Sequence, residues 1–272
     1  MHSVRNPLLT DTALRVDSLS FAIRATPIIE DISVRIGAGE IWSIIGANGA
    51  GKSTLLKCLM RINTGWKGRV ELYGMDLHRY SQRQLARRIA YVPQPGGDQR
   101  FPYTVREFVR MGRYAYAGPF GSAHSGDKAA IEIAMEQAGV TRFSHRTLGT
   151  LSGGERQKVF IAAALAQGGD ILLLDEPTAF LDYRHQAEVS EILHDLNRVN
   201  GSTIVAVTHD VNAALLNGGF ALALRDGRVV WSGTTDELAD ENCLKDIFNA
   251  EFRILDDPAT GLRVVTPRRN GS

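Results

Sequence analysis

Apolar and polar positions along the chain follow two different periods. Residues 28–36 alternate, with Ile32, Val34 and Ile36 on one side, and 14–22 reads as a second strand before them. Residues 41–45 and 171–174 are short unbroken apolar runs, the pattern of strands buried on both faces. Strands are also expected at 69–73, 89–92 and 203–207. Between them lie helical stretches: 52 to about 62, 81–88 behind a Ser81 cap, 104–112 behind a Thr104 cap, 131–138 and 183–199. Asp226-Gly227 separates 221–224 from 229–231, a strong hairpin signal. Strands alternating with helices argue for an α/β fold with a mainly parallel sheet covered on both faces. Residues 95–148 show no comparable strands and are expected to be a helical insertion. The stretch from Asp257, with Pro258, Gly261 and Pro267, reads as a loosely ordered polar tail.

The run 41–45 leads straight into Gly46-Ala47-Asn48-Gly49-Ala50-Gly51-Lys52-Ser53 and then a helix. This is the phosphate-loop pattern in its required strand–loop–helix context. Glycines let backbone N–H groups converge on one point, and the helix N-terminus adds positive dipole there. Lys52 would place a cation on the outer phosphates, and the Ser53 hydroxyl would ligate Mg²⁺, with Thr54 next in line. The second buried run ends in Asp175-Glu176, two carboxylates at a strand's C-terminal edge, where open α/β sheets bind ligands. Asp175 is placed to hold Mg²⁺ directly or through water, and Glu176, pointing elsewhere, to polarise an attacking water. Ser152, Gly153 and Gly154 open another helix and so form a second anion site.

Composition narrows the class. A chain of 272 residues suffices for one large domain or two small ones with a core that needs no staples. The formal net charge of +1 supplies no global field for nucleic acid or anionic lipid. Cys58 and Cys243 are far apart and fit neither a metal site nor a disulfide framework; Cys58, among leucines, is expected buried and reduced. The first residues lack the apolar core of a signal peptide, and no stretch approaches the ~18 apolar residues of a membrane span. Arg79, Arg83, Arg87 and Arg88 cluster at helical spacing, which is more often a solvated face than a site.

Leu151-Ser152-Gly153-Gly154-Glu155-Arg156-Gln157 resembles the signature motif of ABC ATPases, and the resemblance spans nearly the whole chain. It implies a RecA-like P-loop NTPase core with a mainly parallel sheet, an antiparallel β portion and an inserted helical subdomain. The core is expected at 1–94 and 149–272 and the helical subdomain at 95–148. The resemblance implies ATP and Mg²⁺, and two copies facing head to tail, the signature of one closing on the phosphates of the other. Gln94 looks like the Q-loop glutamine, able to reach Mg²⁺ or the attacking water. Asp182, in Ala179-Phe180-Leu181-Asp182, falls at the D-loop and would contact the opposite subunit. His209 matches the switch histidine.

Two positions depart from the family pattern. Ile23 stands where an aromatic usually stacks on adenine, and Ala163 where relatives commonly carry Arg. The short spacing from Gln94 to Leu151, with Arg106-Glu107-Phe108-Val109 and Met111-Gly112-Arg113-Tyr114 inside it, Ala166-Gln167, Phe180-Leu181-Asp182 and the ending Gly233 to Phe248, resembles the ATPase subunits of bacterial importers of iron(III)-siderophores, then haem or vitamin B12. That implies a homodimer under two membrane permease subunits at the cytoplasmic face of the inner membrane, served indirectly by a periplasmic or surface substrate-binding protein. No nucleic-acid partner is expected, and a non-transport ABC ATPase is the remaining alternative. Phe101, Tyr103, Val105, Phe108 and Tyr116 are candidates either to line the groove for the permease or to form the core of the insertion.

Overall fold

The computed structural model describes residues 11–94, 102–117, 126–256, 258 and 263–268. The chain folds as two units, Met1–Arg79 with Thr203–Ser272, and Tyr80–Ser202. The first unit opens with β1 (Thr12–Ile23) and β2 (Thr26–Gly37), paired antiparallel. Arg24 and Ala25 join them at φ 48° and 69°, the left-handed pair a two-residue hairpin turn requires. β3 (Ile41–Ile45) runs into the glycine loop and then α1 (Lys52–Leu59). This helix stops short of the expected residue 62. Arg61 turns left-handed at φ 54°, so Ile62 and Asn63 fold their amides back onto the Lys57 carbonyl and close the helix end. β4 (Lys67–Leu72) and β5 (Met75–Asp76) extend the antiparallel sheet in the order β2-β1-β4-β5.

The second unit begins with the short helix α2 (Gln82–Leu85) and β6 (Ile89–Val92). α3 (Val105–Met111), α4 (Asp127–Gln137) and α5 (Gly153–Gln167) follow. Val105, Val109, Ile131, Met135, Leu148, Val159 and Ala162 pack into one apolar cluster, so α3 and α4 bury their faces against α5. β7 (Ile171–Asp175) pairs parallel with β6, Tyr91 opposite Leu173, and α6 (Tyr183–Asn200) completes the unit. The arginine cluster is not merely a solvated face. Arg83 and Arg87 donate to the Ala115 carbonyl, Arg83 also to that of Ala117, and Arg88 pairs with Asp170 at 2.6 Å. Arg83 and Arg87 thus tie the turn after α3 to α2 and the residues just past it, while Arg88 ties that stretch to the residue before β7. Arg113 stacks on Tyr116 at 3.7 Å and donates to the Ala166 carbonyl, which brings a cation to α5 one turn from Ala163.

The chain then returns to the first unit through β8 (Thr203–Val207), α7 (Val211–Asn217), β9 (Phe220–Arg225) and β10 (Arg228–Thr234). β3 lies parallel between β8 and β9. Every residue of β8 is buried, as two-sided coverage demands. Asp226 and Gly227, at φ 50° and 76°, make the β9–β10 turn. α8 (Thr235–Leu238) and α9 (Glu241–Phe248) lead to an antiparallel hairpin, β11 (Phe252–Asp256) and β12 (Arg263–Pro267). The stretch expected to be a loose tail therefore contributes a strand. The Asn212 side chain holds that strand: its amide donates to the Val265 carbonyl at 3.0 Å and its oxygen accepts from the Val265 N–H at 2.7 Å. Among the described residues no helix is long and apolar enough to cross a membrane.

Candidate active site

In the first unit, the loop from Gly46 to Ser53 links β3 to α1. Gly46, Gly49 and Gly51 sit at φ 147°, 84° and 97°. At Gly46 a Cβ would stand 2.2 Å from the Leu224 carbonyl oxygen, so a side chain is excluded by conformation and by space together. The tip, Ala47-Asn48-Gly49, is exposed, while Ala50 and Gly51 are buried at the helix start and Ser53 and Thr54 are half-buried. Lys52 is buried, and its ammonium donates to the Gly46 and Ala47 carbonyls at 2.7 and 3.0 Å. A charged amine curled into a glycine nest at a helix N-terminus suits a polyphosphate. His209, exposed, follows β8; behind it Asp210 caps α7 by accepting from the Asn212 N–H at 2.9 Å. Ile23 is 51% exposed at the β1–β2 hairpin end and offers an apolar face without a ring.

In the second unit, Asp175 and Glu176 are both buried at the end of β7. Glu176 takes φ 51°, in the left-handed region that residues other than glycine seldom adopt. Phe180, at φ 61°, closes the same segment and is exposed, as is Tyr183. The sequence reading missed Tyr91, whose hydroxyl donates to Asp175 Oδ2 at 3.4 Å. Burial first, then the Asp175 carboxylate, pushes its phenol up to about 12. Gln94 lies three residues on from Tyr91, exposed beyond β6.

Ser152 caps α5 through a reciprocal pair with Glu155, and Gly153 and Gly154 form the first turn. The backbone N–H of Ser152 holds the Glu155 carboxyl below its usual range. Asp182 caps α6, accepting from the His185 N–H at 2.9 Å and pairing with His185 Nδ1 at 2.8 Å. Those two contacts keep the Asp182 carboxyl low. Of the groove candidates, Phe101 lies outside the described residues. Val105 is fully buried, Phe108 packs against Phe160 at 5.2 Å, and Tyr116 lies between Arg87 and Arg113. Tyr103 is exposed, and so are Met111 and Tyr114, which were not among the groove candidates. Cys58 is buried, and desolvation raises its thiol to about 11, far from reactive.

A phosphate loop on an α/β scaffold, an acidic strand end and a second helix-terminal anion motif define a P-loop nucleoside triphosphatase. The family model described as ABC transporter matches residues 29–179, and the chain belongs to this family. It is 38% identical to the iron(3+)-hydroxamate import ATP-binding protein FhuC of Bacillus subtilis, over 91% of this chain and 92% of that one. It is also 38% identical to the ferric enterobactin transport ATP-binding protein FepC of Escherichia coli, over 93% of each. Among solved structures it resembles a chain from an inward-facing transporter described as of the metal-chelate type, with TM-score 0.83, 28% identity and coverage of 95% and 98%. The dimeric cassette MJ0796 bound to ADP and phosphate matches with TM-score 0.69, 28% identity and coverage of 82% and 98%. The chain is thus an ATP-binding, ATP-hydrolysing subunit of the ABC type.

Proposed function

We propose that this chain drives uptake of an iron-siderophore complex as a head-to-tail homodimer beneath two membrane permease subunits, peripheral to the cytoplasmic face of the inner membrane. The observation that carries the dimer is the second anion motif at Ser152, Gly153 and Gly154, in a chain that already owns a phosphate loop. The iron-chelate relatives support the substrate class, with haem or vitamin B12 as the alternative. Residues 95–148 would be the helical subdomain that meets the permease.

Lys52 and the amides of residues 46–54, Asn48 and Ala50 among them, would bind the outer phosphates of ATP. Ser53, Asp175 and Gln94 would hold Mg²⁺, and this oxygen donor set suits that ion. The metal would supply charge neutralisation on the phosphates. Glu176 would accept the proton of the water that attacks the γ-phosphorus as the bond to ADP breaks, and His209 would steady that arrangement. Asp182 would meet the facing copy. ATP can favour closure only through contacts present in the closed pair, and the signature supplies them.

Glu176→Gln is expected to keep ATP binding, trap a closed dimer on size exclusion and lower hydrolysis by roughly 10²–10⁴. Near-normal turnover in the assembled transporter would remove Glu176 from this role. Stimulation of that assembly's ATPase by an iron-siderophore-loaded binding protein, and not by haem- or B12-loaded ones, tests the substrate class.

A further inference from the structure

The two signature glycines are not equivalent. A Cβ built on Gly153 meets nothing within 4 Å, whereas one on Gly154 would stand 2.2 Å from both Cγ and Cδ2 of His185. Gly154 lies within the α5 helix and is not among the residues at positive φ. Its backbone therefore does not call for glycine, and the imidazole of the same chain does. That ring is fixed from its other side, because Asp182 Oδ1 accepts the His185 N–H and pairs with Nδ1. One turn along each helix, Lys158 of α5 pairs with Glu188 of α6, with the lysine side chain 9% exposed.

We propose that His185 is a positioning residue that keys the D-loop to the signature helix within one chain, and that glycine is required at 154 by this contact. Asp182 orients the ring, the ring lies on the open backbone of α5 at Gly154, and the Lys158–Glu188 pair stops the helices from sliding. Displacement of Phe180–Asp182 is then transmitted to Ser152–Gly154 without passing through nucleotide. The functional half of this inference rests on the signature reading above; the packing half does not.

Gly154→Ala is expected to lower the thermal midpoint by roughly 2–10 °C, as overpacking of a filled position predicts, and to lower the ATPase rate with it. His185→Ala alone should leave binding of a fluorescent ATP analogue unchanged and reduce kcat, and His185→Asn, which keeps a donor for Asp182, should recover part of that loss. The decisive protein is Gly154→Ala with His185→Ala. Its thermal midpoint should return to that of His185→Ala alone, the non-additivity expected of residues in contact. A double variant whose midpoint is as low as that of Gly154→Ala, or a Gly154→Ala protein as stable as the parent, overturns the inference. Ser152→Phe, assayed in parallel, separates the two layers. If it leaves turnover intact, the signature's part in hydrolysis fails, while recovery of the midpoint in the double variant still upholds the keyed packing.

Discussion

Gln157 lies 1% exposed in α5, and among the described residues neither its amide nitrogen nor its oxygen has a hydrogen-bond partner. A buried polar group without a partner costs about 1–3 kcal/mol. Gln157→Met, close in volume, should therefore raise the unfolding free energy by an amount on that scale, read as a higher urea midpoint with m unchanged, and an unmoved or lowered midpoint would count against the orphaned amide. The residues that declared themselves in the sequence did so through strong local patterns: Lys52 in its loop, Asp175 and Glu176 at the end of a buried run, Ser152 before its glycines. Tyr91 and His185 were silent because their partners come from elsewhere. Tyr91 reaches Asp175 through the β6–β7 register, and His185 reaches Gly154 through the way α6 packs on α5. Neither relation has a spacing that a reader of the chain can count.

At the scale of elements, caps and turns were legible. Ser81 and Thr104 each make the reciprocal pair with a Gln or Glu three residues on, and Asp226-Gly227 makes its hairpin. β12 was hidden because Pro258, Gly261 and Pro267 read as breakers and its two apolar residues are adjacent in sequence, so no period-two pattern shows; Val264 faces solvent and Val265 is buried. The α5–α6 pair offers an element-scale test. Lys158 chiefly, then Arg184, holds the Glu188 carboxyl below the usual carboxylate range. A carboxylate depressed on folding stabilises above its unfolded pKa and loses that contribution as pH falls through the folded one. The difference in thermal midpoint between parent and Glu188→Gln should thus be full at pH 7, shrink below about pH 5 and vanish once the folded pKa is passed. A difference that persists to acid pH would assign the effect to packing.

For the whole molecule, the reading to test is that each chain holds half of two sites. In mixed dimers carrying Ser152→Phe in one copy, hydrolysis should fail at the phosphate loop of the unaltered copy. Damage confined to the mutated copy's own loop would contradict the head-to-tail arrangement. The α/β class, the phosphate loop and the helical character of α3, α4 and α5 were all visible in the chain, since each rests on contiguous periodicity. Division into two units, with the loop in one and the acidic strand end in the other, was not, because it depends on which distant segments pack together.

Asn212 binds a strand as though it were itself a neighbouring strand, spending both ends of its amide on Val265, and it sits three residues beyond His209. Mechanically, β12 and the helix that follows His209 are in series. A purification tag or fusion partner joined after Pro267 would lean on that linkage, so a sluggish enzyme prepared that way would report on its handle as much as on its chemistry.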